Sequence, residues 1–310
     1  IESANMALTP CDRSASNTSR SRAPSGSVYF RDCCILSFPV ISRRQLAHRR
    51  SMRTGAIADV RHRRKRRGHE RSWPATAGST VGNQIDHSGA TVRAVHPTDD
   101  HQLAAALAEQ AGVLLLELRA RLAADDAAPA VLKAEGDRQA HELLMQELTE
   151  ARPGDAILSE EGKDDKARLH AERTWIVDPL DGTREYSEVP RTDWAVHVAL
   201  VTDNRPVAGA VALPGLGLVL STADVPILAP TGTTPARMIV SRSRPPAAAT
   251  HVADLIGADL VQMGSAGAKA MAVVRGECEI YVHSGGQYEW DSCAPVAVAA
   301  AAGCHVSRLD

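Results

Sequence analysis

From Thr91 onward the apolar residues fall into two long helical stretches followed by a series of short apolar runs. This order constrains the fold more than any other feature of the 310-residue chain. The stretch "HQLAAALAEQAGVLLLELRARLAA" (101–124) has helical spacing and predicts one long helix. "LKAEGDRQAHELLMQELTEARPGD" (132–155) predicts a second, with Asp137 near its start in a capping position and Pro153-Gly154 closing it. Short strands are predicted in "AILSEEGKDD", "TWIVD" and "DWAVHVALV", and a hairpin in "RPVAGAVALPGLGLVLST" with Pro214-Gly215 at its turn. "RMIVSRSR", "DLVQMGS", "EIYVHS" and "HVSRLD" read as further strands, and "PPAAATHVADLIGA", "AGAKAMAVVRG" and "DSCAPVAVAAAAG" as helices. The alternation predicts a layered α/β or α+β architecture with helices packed on sheets. The sequence ends at Asp310 just as a strand opens, so a C-terminally incomplete domain is expected over 91–310.

The first part of the chain has different physics. Residues 1–90 hold 15 Arg and one Lys against six acidic residues, a net of about +10, whereas the rest is acidic with a net of about −12. Its apolar runs, such as "CCILSFPVI", are short and isolated. It is expected to be a mostly disordered basic leader, because so little apolar surface cannot offset the entropy of ordering. Its "RHRRKRR" run (61–67) reads either as a nucleic-acid or anionic-surface patch or a nuclear address or, more blandly, as a solvated basic tail or upstream sequence outside the working protein. The Arg/Ser bias also resembles a transit peptide, against which stand six acidic residues and no amphipathic period. No apolar run reaches the roughly 18 residues of a membrane span. The six cysteines show no CxxC spacing, which favours a reduced, cytoplasmic protein.

Four acidic positions stand at strand ends or helix starts, where sites assemble in layered α/β proteins: Glu160 in "LSEEG", Asp178 and Asp181 in "WIVDPLDGTREYS", and Asp291 in "EWDSCAP". Pro179 fixes its own backbone and pushes Asp178 into an extended conformation. Gly182 lets a ligand approach the main chain, and N–H groups at Gly182, Thr183 and Arg184 are placed to hold a phosphate. Clustered carboxylates repel unless a cation neutralises them, and a hard divalent cation with oxygen ligands, Mg²⁺ above all, suits such a set and a phosphate ester. "DPLDG" alone is equally compatible with an Asp-capped turn.

Taken with "GSAGAKA" (264–270), these motifs resemble, in order and spacing, the inositol monophosphatase superfamily. The resemblance covers roughly residues 98–310 and implies an αβαβα layered fold and a Mg²⁺-dependent, lithium-sensitive phosphatase. It implies that Glu160, Asp178, Asp181 and the Leu180 carbonyl ligate metal, and that Asp291 holds a second ion. It makes Thr183 the residue that orients the attacking water, supported by Asp137, with Glu160 counted among the catalytic groups and Glu161 supporting the metal shell. The run Arg-Glu-Tyr after "DGT" resembles the CysQ-type 3′(2′),5′-bisphosphate nucleotidases, and "TDWAVHVAL" and "GGQYEWDSCAP" resemble their actinobacterial members. Lys269 and Arg184 are then expected to bind outer phosphates, although Lys269 also reads as an ordinary surface lysine.

The expected reaction is hydrolysis of the 3′-phosphate of adenosine 3′,5′-bisphosphate to AMP, with the sulfated form as a further substrate, in sulfur assimilation. Inositol monophosphate and fructose 1,6-bisphosphate are the alternative substrates on the same fold. The acidic remainder argues against a nucleic-acid partner, and a homodimer is left open. His197 reads as a packed, hydrogen-bonded residue and Cys293 as packing; Trp290 reads equally as a pocket wall or a core residue.

Overall fold

The computed structural model describes residues 34–37, 99–228, 232 and 234–308. Strand β1 (Cys34–Ser37) lies within the segment expected to lack structure; its short apolar run finds backbone partners on both sides. The rest of residues 1–90, including "RHRRKRR", lies outside the described residues.

Helix α1 (Asp100–Ala124) starts where the Asp99 carboxylate accepts the N–H groups of His101 and Gln102, which have no helical acceptor of their own. Helix α2 (Pro129–Ala151) starts with Pro129 and no side-chain cap, since proline has no N–H to satisfy. Asp137 is therefore not a cap. The helix begins almost a turn earlier than its apolar spacing suggested, and Asp137 lies well inside it.

Strand β2 (Ala156–Ser159) runs parallel to β3 (Arg173–Asp181). A short helix, α3 (Thr183–Ser187), leads on to β4 (Ala195–Thr202), β5 (Arg205–Leu213) and β6 (Leu218–Ser221), which complete an antiparallel run in the order β2-β3-β4-β5-β6. Both faces of this sheet are covered. Trp175 and Val177 of β3 pack with the leucines of α1 and α2, while Ile176 between them joins the opposite core. Val196, Val198 and Leu200 of β4 repeat that alternation against Ala195 and Ala199, as the two-residue side-chain period of a strand requires. A strand buried on both faces reads as a continuous apolar run, which is why "TWIV" and "WAVHVALV" were legible.

The second sheet is built from β7 (Arg237–Ser241), β8 (Asp259–Met263), β9 (Ile280–Val282) and β10 (His305–Arg308), with β1, in the order β10-β1-β9-β7-β8. Strand β7 is parallel to both β8 and β9. Helix α4 (Ala247–Ile256) covers one face, through Ala249 and Ala253 on Met238 and Val240. Helices α5 (Ala266–Val274) and α6 (Glu289–Ala301) fill the space between the sheets, so the layers run α/β/α/β/α as expected. Among the described residues no helix is long and apolar enough to cross a membrane.

Candidate active site

Strand β3 supplies two of the predicted ligands. Asp178 pairs across the ladder with His197 and Asp181 with Ala195, and the register breaks between them. Pro179 accounts for the break, having no N–H to give to the ladder. The Asp178 side chain accepts the Leu180 N–H at 3.1 Å, a turn that aspartate favours. Gly182 then takes φ +87°, and a Cβ there would meet Ser265 Cβ at 3.1 Å and the Asp193 carbonyl at 3.3 Å. Both the turn and the close approach require glycine.

Asp291 arrives from another layer, in the first turn of α6, where it accepts the Tyr288 N–H at 2.7 Å. Among the described residues, Asp178, Asp181 and Asp291 form one group whose carboxylate oxygens lie within 4.8 Å of one another. Glu160, one residue beyond β2, lies close enough to the Asp178 carboxyl for each to act on the other's ionisation. Asp178 is buried and Asp181 nearly so, so their mutual repulsion is weakly screened.

The electrostatics divide the cluster. Burial, reinforced by Asp181, Glu160 and Asp291, pushes the Asp178 carboxyl well above its ordinary value. Burial and the neighbouring charges push Glu160 up to about 7 and Asp291 up to about 6. Neighbouring carboxyls disfavour each other's ionisation, and Glu160 does so for Asp178. Asp181 goes the other way: burial alone would raise it, but His197, Lys269 and Ser265 together hold it below the carboxylate range. All donors in the group are hard oxygens, and the cluster carries more acid than it can ionise alone. Both features fit a divalent cation.

Asp137 and Thr183 meet as expected. The Thr183 hydroxyl lies 3.1 Å from the Leu180 carbonyl and 3.4 Å from Asp137 Oδ1. Burial, with the Glu161 charge, pushes Asp137 up to about 6. Of the two predicted phosphate cations, Arg184 is half-exposed and paired with Glu188 at 3.0 Å. Lys269 is buried rather than a surface lysine, and its ammonium donates to the carbonyls of Gly264 and Ser265. One of its three N–H groups remains for other partners. Gly182, Thr183, Arg184 and Lys269 all line a cavity of about 620 Å³ that also contains Asp181 and Asp291.

Sequence reasoning placed His197 in the core but missed its partners. The ring is fully buried, with Nδ1 at 2.9 Å from the Trp290 carbonyl and Nε2 at 3.2 Å from Asp181 Oδ2. Facing a carbonyl, Nδ1 must carry a proton. The Nε2 contact is close but poorly aimed, leaving that nitrogen without a well-formed hydrogen bond. Asp181 Oδ2 is instead bound by Ser265 Oγ and, at 2.7 Å, by the Gly267 N–H. Gly267 is what admits the ring: a Cβ there would sit 2.0 Å from His197 Nε2. Cys293 is buried as expected. Trp290 is half-buried against the inter-sheet core and stacks on Tyr288 at 4.8 Å between ring centroids.

The sequence profile of the inositol monophosphatase family matches residues 97–310. The chain belongs to this family. Within it, a 3′-phosphoadenosine 5′-phosphate phosphatase of Mycobacterium leprae is 50% identical over 223 residues, covering 68% of this chain and 82% of that protein. A protein of the same description from Mycobacterium tuberculosis is 49% identical over 211 residues, covering 64% and 77%. Among solved structures, CysQ from Bacteroides thetaiotaomicron superposes with a TM-score of 0.53 at 28% identity, over 65% of this chain and 86% of that one. These relatives bear out the expected membership of the CysQ-type branch of the family.

Proposed function

We propose that this protein is a Mg²⁺-dependent phosphatase that removes the 3′-phosphate of adenosine 3′,5′-bisphosphate, giving AMP and phosphate, and that it acts in sulfur assimilation. The observation that carries this reading is the Asp178–Asp181–Asp291 cluster, with Asp178 and Asp181 buried, opening onto a cavity, in a chain 50% identical over 223 residues to a 3′-phosphoadenosine 5′-phosphate phosphatase. Asp178, Asp181, Asp291, Glu160 and the Leu180 carbonyl would hold the metal. When bound, a cation of this kind supplies Lewis acidity and lowers the pKa of water.

The remaining work falls to the chain. The Thr183 hydroxyl gives its proton to Leu180 O or Asp137 Oδ1, so its lone pairs are free to accept a hydrogen bond from the attacking water and aim it at phosphorus. Asp137, poised near 6, is suited to take up the proton that water loses. The main-chain N–H groups at Gly182, Thr183 and Arg184 lack helical acceptors and can bind phosphoryl oxygens.

Phosphate release from adenosine 3′,5′-bisphosphate, its sulfated form, inositol monophosphate and fructose 1,6-bisphosphate, each with Mg²⁺, EDTA or added Li⁺, tests the proposal. The highest kcat/KM is expected on the bisphosphate nucleotide, abolished by EDTA and inhibited by Li⁺. A higher value on the inositol or sugar phosphate would reassign the substrate within the family.

A further inference from the structure

Three parallel strands, β7, β8 and β9, aim their C-terminal ends at the cavity. The loops after them contribute Ser241 and Arg244, Gly264 to Ala266, and His283 with Gln287 to its wall. Ligands in open α/β sheets collect at such strand ends.

The charges on this wall do not balance. Of the carboxylates lining the cavity, Asp181 and Asp291 belong to the acidic cluster, and Glu185 is spent on Arg242 at 2.7 Å. Arg242 also pairs with Glu188 at 2.9 Å, and Arg184 with the same Glu188 at 3.0 Å. Lys269 uses two of its donors on main-chain carbonyls. Arg244 is different: it is exposed, it lines the cavity, and it has no ion pair among the described residues. Its charge and that of Lys269 add to burial in holding His283 below its ordinary range, which marks this end of the cavity as positive. The loop is also pre-set. The Arg244 N–H donates to Ser241 Oγ at 3.2 Å, and Pro245 and Pro246 follow, restricting the backbone at and after Arg244.

We propose that Arg244 is the specificity residue for a second phosphate on the substrate, one attached at a carbon other than that of the scissile ester. The inference rests on the bisphosphate reading above, in which this group is the 5′-phosphate. A guanidinium without a carboxylate partner pays no cost of breaking an ion pair, and its planar fork matches phosphate oxygens. It replaces Arg184, already committed to Glu188, as the principal outer-phosphate cation.

The test compares full-length wild type, Arg244→Gln and Arg244→Lys on adenosine 3′,5′-bisphosphate and on adenosine 3′-monophosphate, with Mg²⁺. Binding of 5′-AMP and of adenosine is measured in parallel by calorimetry in EDTA. Wild type is expected to prefer the bisphosphate. R244Q is expected to cut that preference about 10- to 100-fold, the range for a charged hydrogen bond, through KM, with R244K between the two. The affinity for 5′-AMP falls with it and that for adenosine does not. An unchanged preference in R244Q, or an equal loss on both nucleotides, overturns the assignment. Wild type that cleaves both nucleotides without preference keeps the nucleotidase reading and sinks the role of Arg244. Wild type that cleaves neither nucleotide, yet releases phosphate from inositol monophosphate, sinks both.

Discussion

Gly267→Ala is the smallest change that reaches the site without touching a ligand. The added methyl would lie 2.0 Å from His197 Nε2, 2.9 Å from Cδ2 and 3.0 Å from Cε1, so the ring or the start of α5 must move. The ring has little room. It is fully buried, and Nδ1 is bonded to the Trp290 carbonyl, one residue from Asp291. Moving α5 instead draws the Gly267 N–H and Ser265 Oγ away from Asp181. Either response displaces a carboxylate of the cluster. Overpacking of this kind costs about 1–3 kcal/mol, and the better helix propensity of alanine returns up to about 1 kcal/mol. The net cost of up to about 2 kcal/mol corresponds to a fall in Tm of about 4–8 °C for a domain of this size. The larger effect falls on the metal, since changes to groups supporting a ligand weaken metal affinity about 10- to 100-fold. Thermal unfolding in EDTA and the Mg²⁺ concentration for half-maximal activity measure the two. A His197→Ser background removes the ring, so G267A should cost less there than in wild type. Equal costs in both backgrounds, or wild-type Mg²⁺ activation in G267A, would refute the argument.

Asp178→Asn removes a buried carboxylate that accepts the Leu180 N–H and neighbours Glu160; turnover should disappear while far-UV circular dichroism is kept, and near-normal activity would sink the metal assignment. Thr183→Ala should lower kcat about 10²- to 10⁴-fold, the usual worth of positioned proton transfer, with little change in Mg²⁺ dependence; a loss confined to KM would place Thr183 in binding instead. The pH dependence has a definite sign: Glu160 at about 7 and Asp291 and Asp137 at about 6 are raised above their unfolded values, so the metal-free folded state holds more protons than the unfolded chain. Its Tm should therefore fall as pH rises from about 4 through about 7, and saturating Mg²⁺, which takes the ionised forms, should flatten that fall; a metal-free Tm that rises over this window contradicts the shifts.

The parts of the site that could be read from the sequence are those held by local chemistry. Asp178, Asp181 and Gly182 follow one apolar strand within a few residues, and Pro179 and Gly182 announce the break in the ladder. Asp291 stands at a helix start, where a carboxylate meets a free N–H. Asp137 was found by resemblance but wrongly given a cap, because Pro129 begins its helix without any side-chain help. The contact it makes instead is with Thr183, 46 residues away. His197 was read only as far as its burial. Its partners Asp181 and Trp290 come from β3 and α6, and no local pattern connects them. The available hint was Gly267, a glycine inside a helix, which usually marks a close approach.

The same division explains how one fold can hold so much buried acid. Asp181 is neutralised by the protein itself: the Ser265 hydroxyl, the Gly267 N–H, His197 and the Lys269 charge all favour its ionised form. It is a fixed negative charge whether or not a metal is present. At Asp178, Glu160 and Asp291 burial and the neighbouring charges outweigh such support, the Leu180 and Tyr288 N–H groups included, and all three carboxyls are raised above their ordinary range. A cation entering the cluster therefore meets one charge already in place and must displace protons to gain the others. That arrangement keeps the site from paying the full repulsion of four adjacent carboxylates during folding. It also ties occupancy to pH through residues from the turn after β2, from β3 and from α6, which only the packed layers bring together.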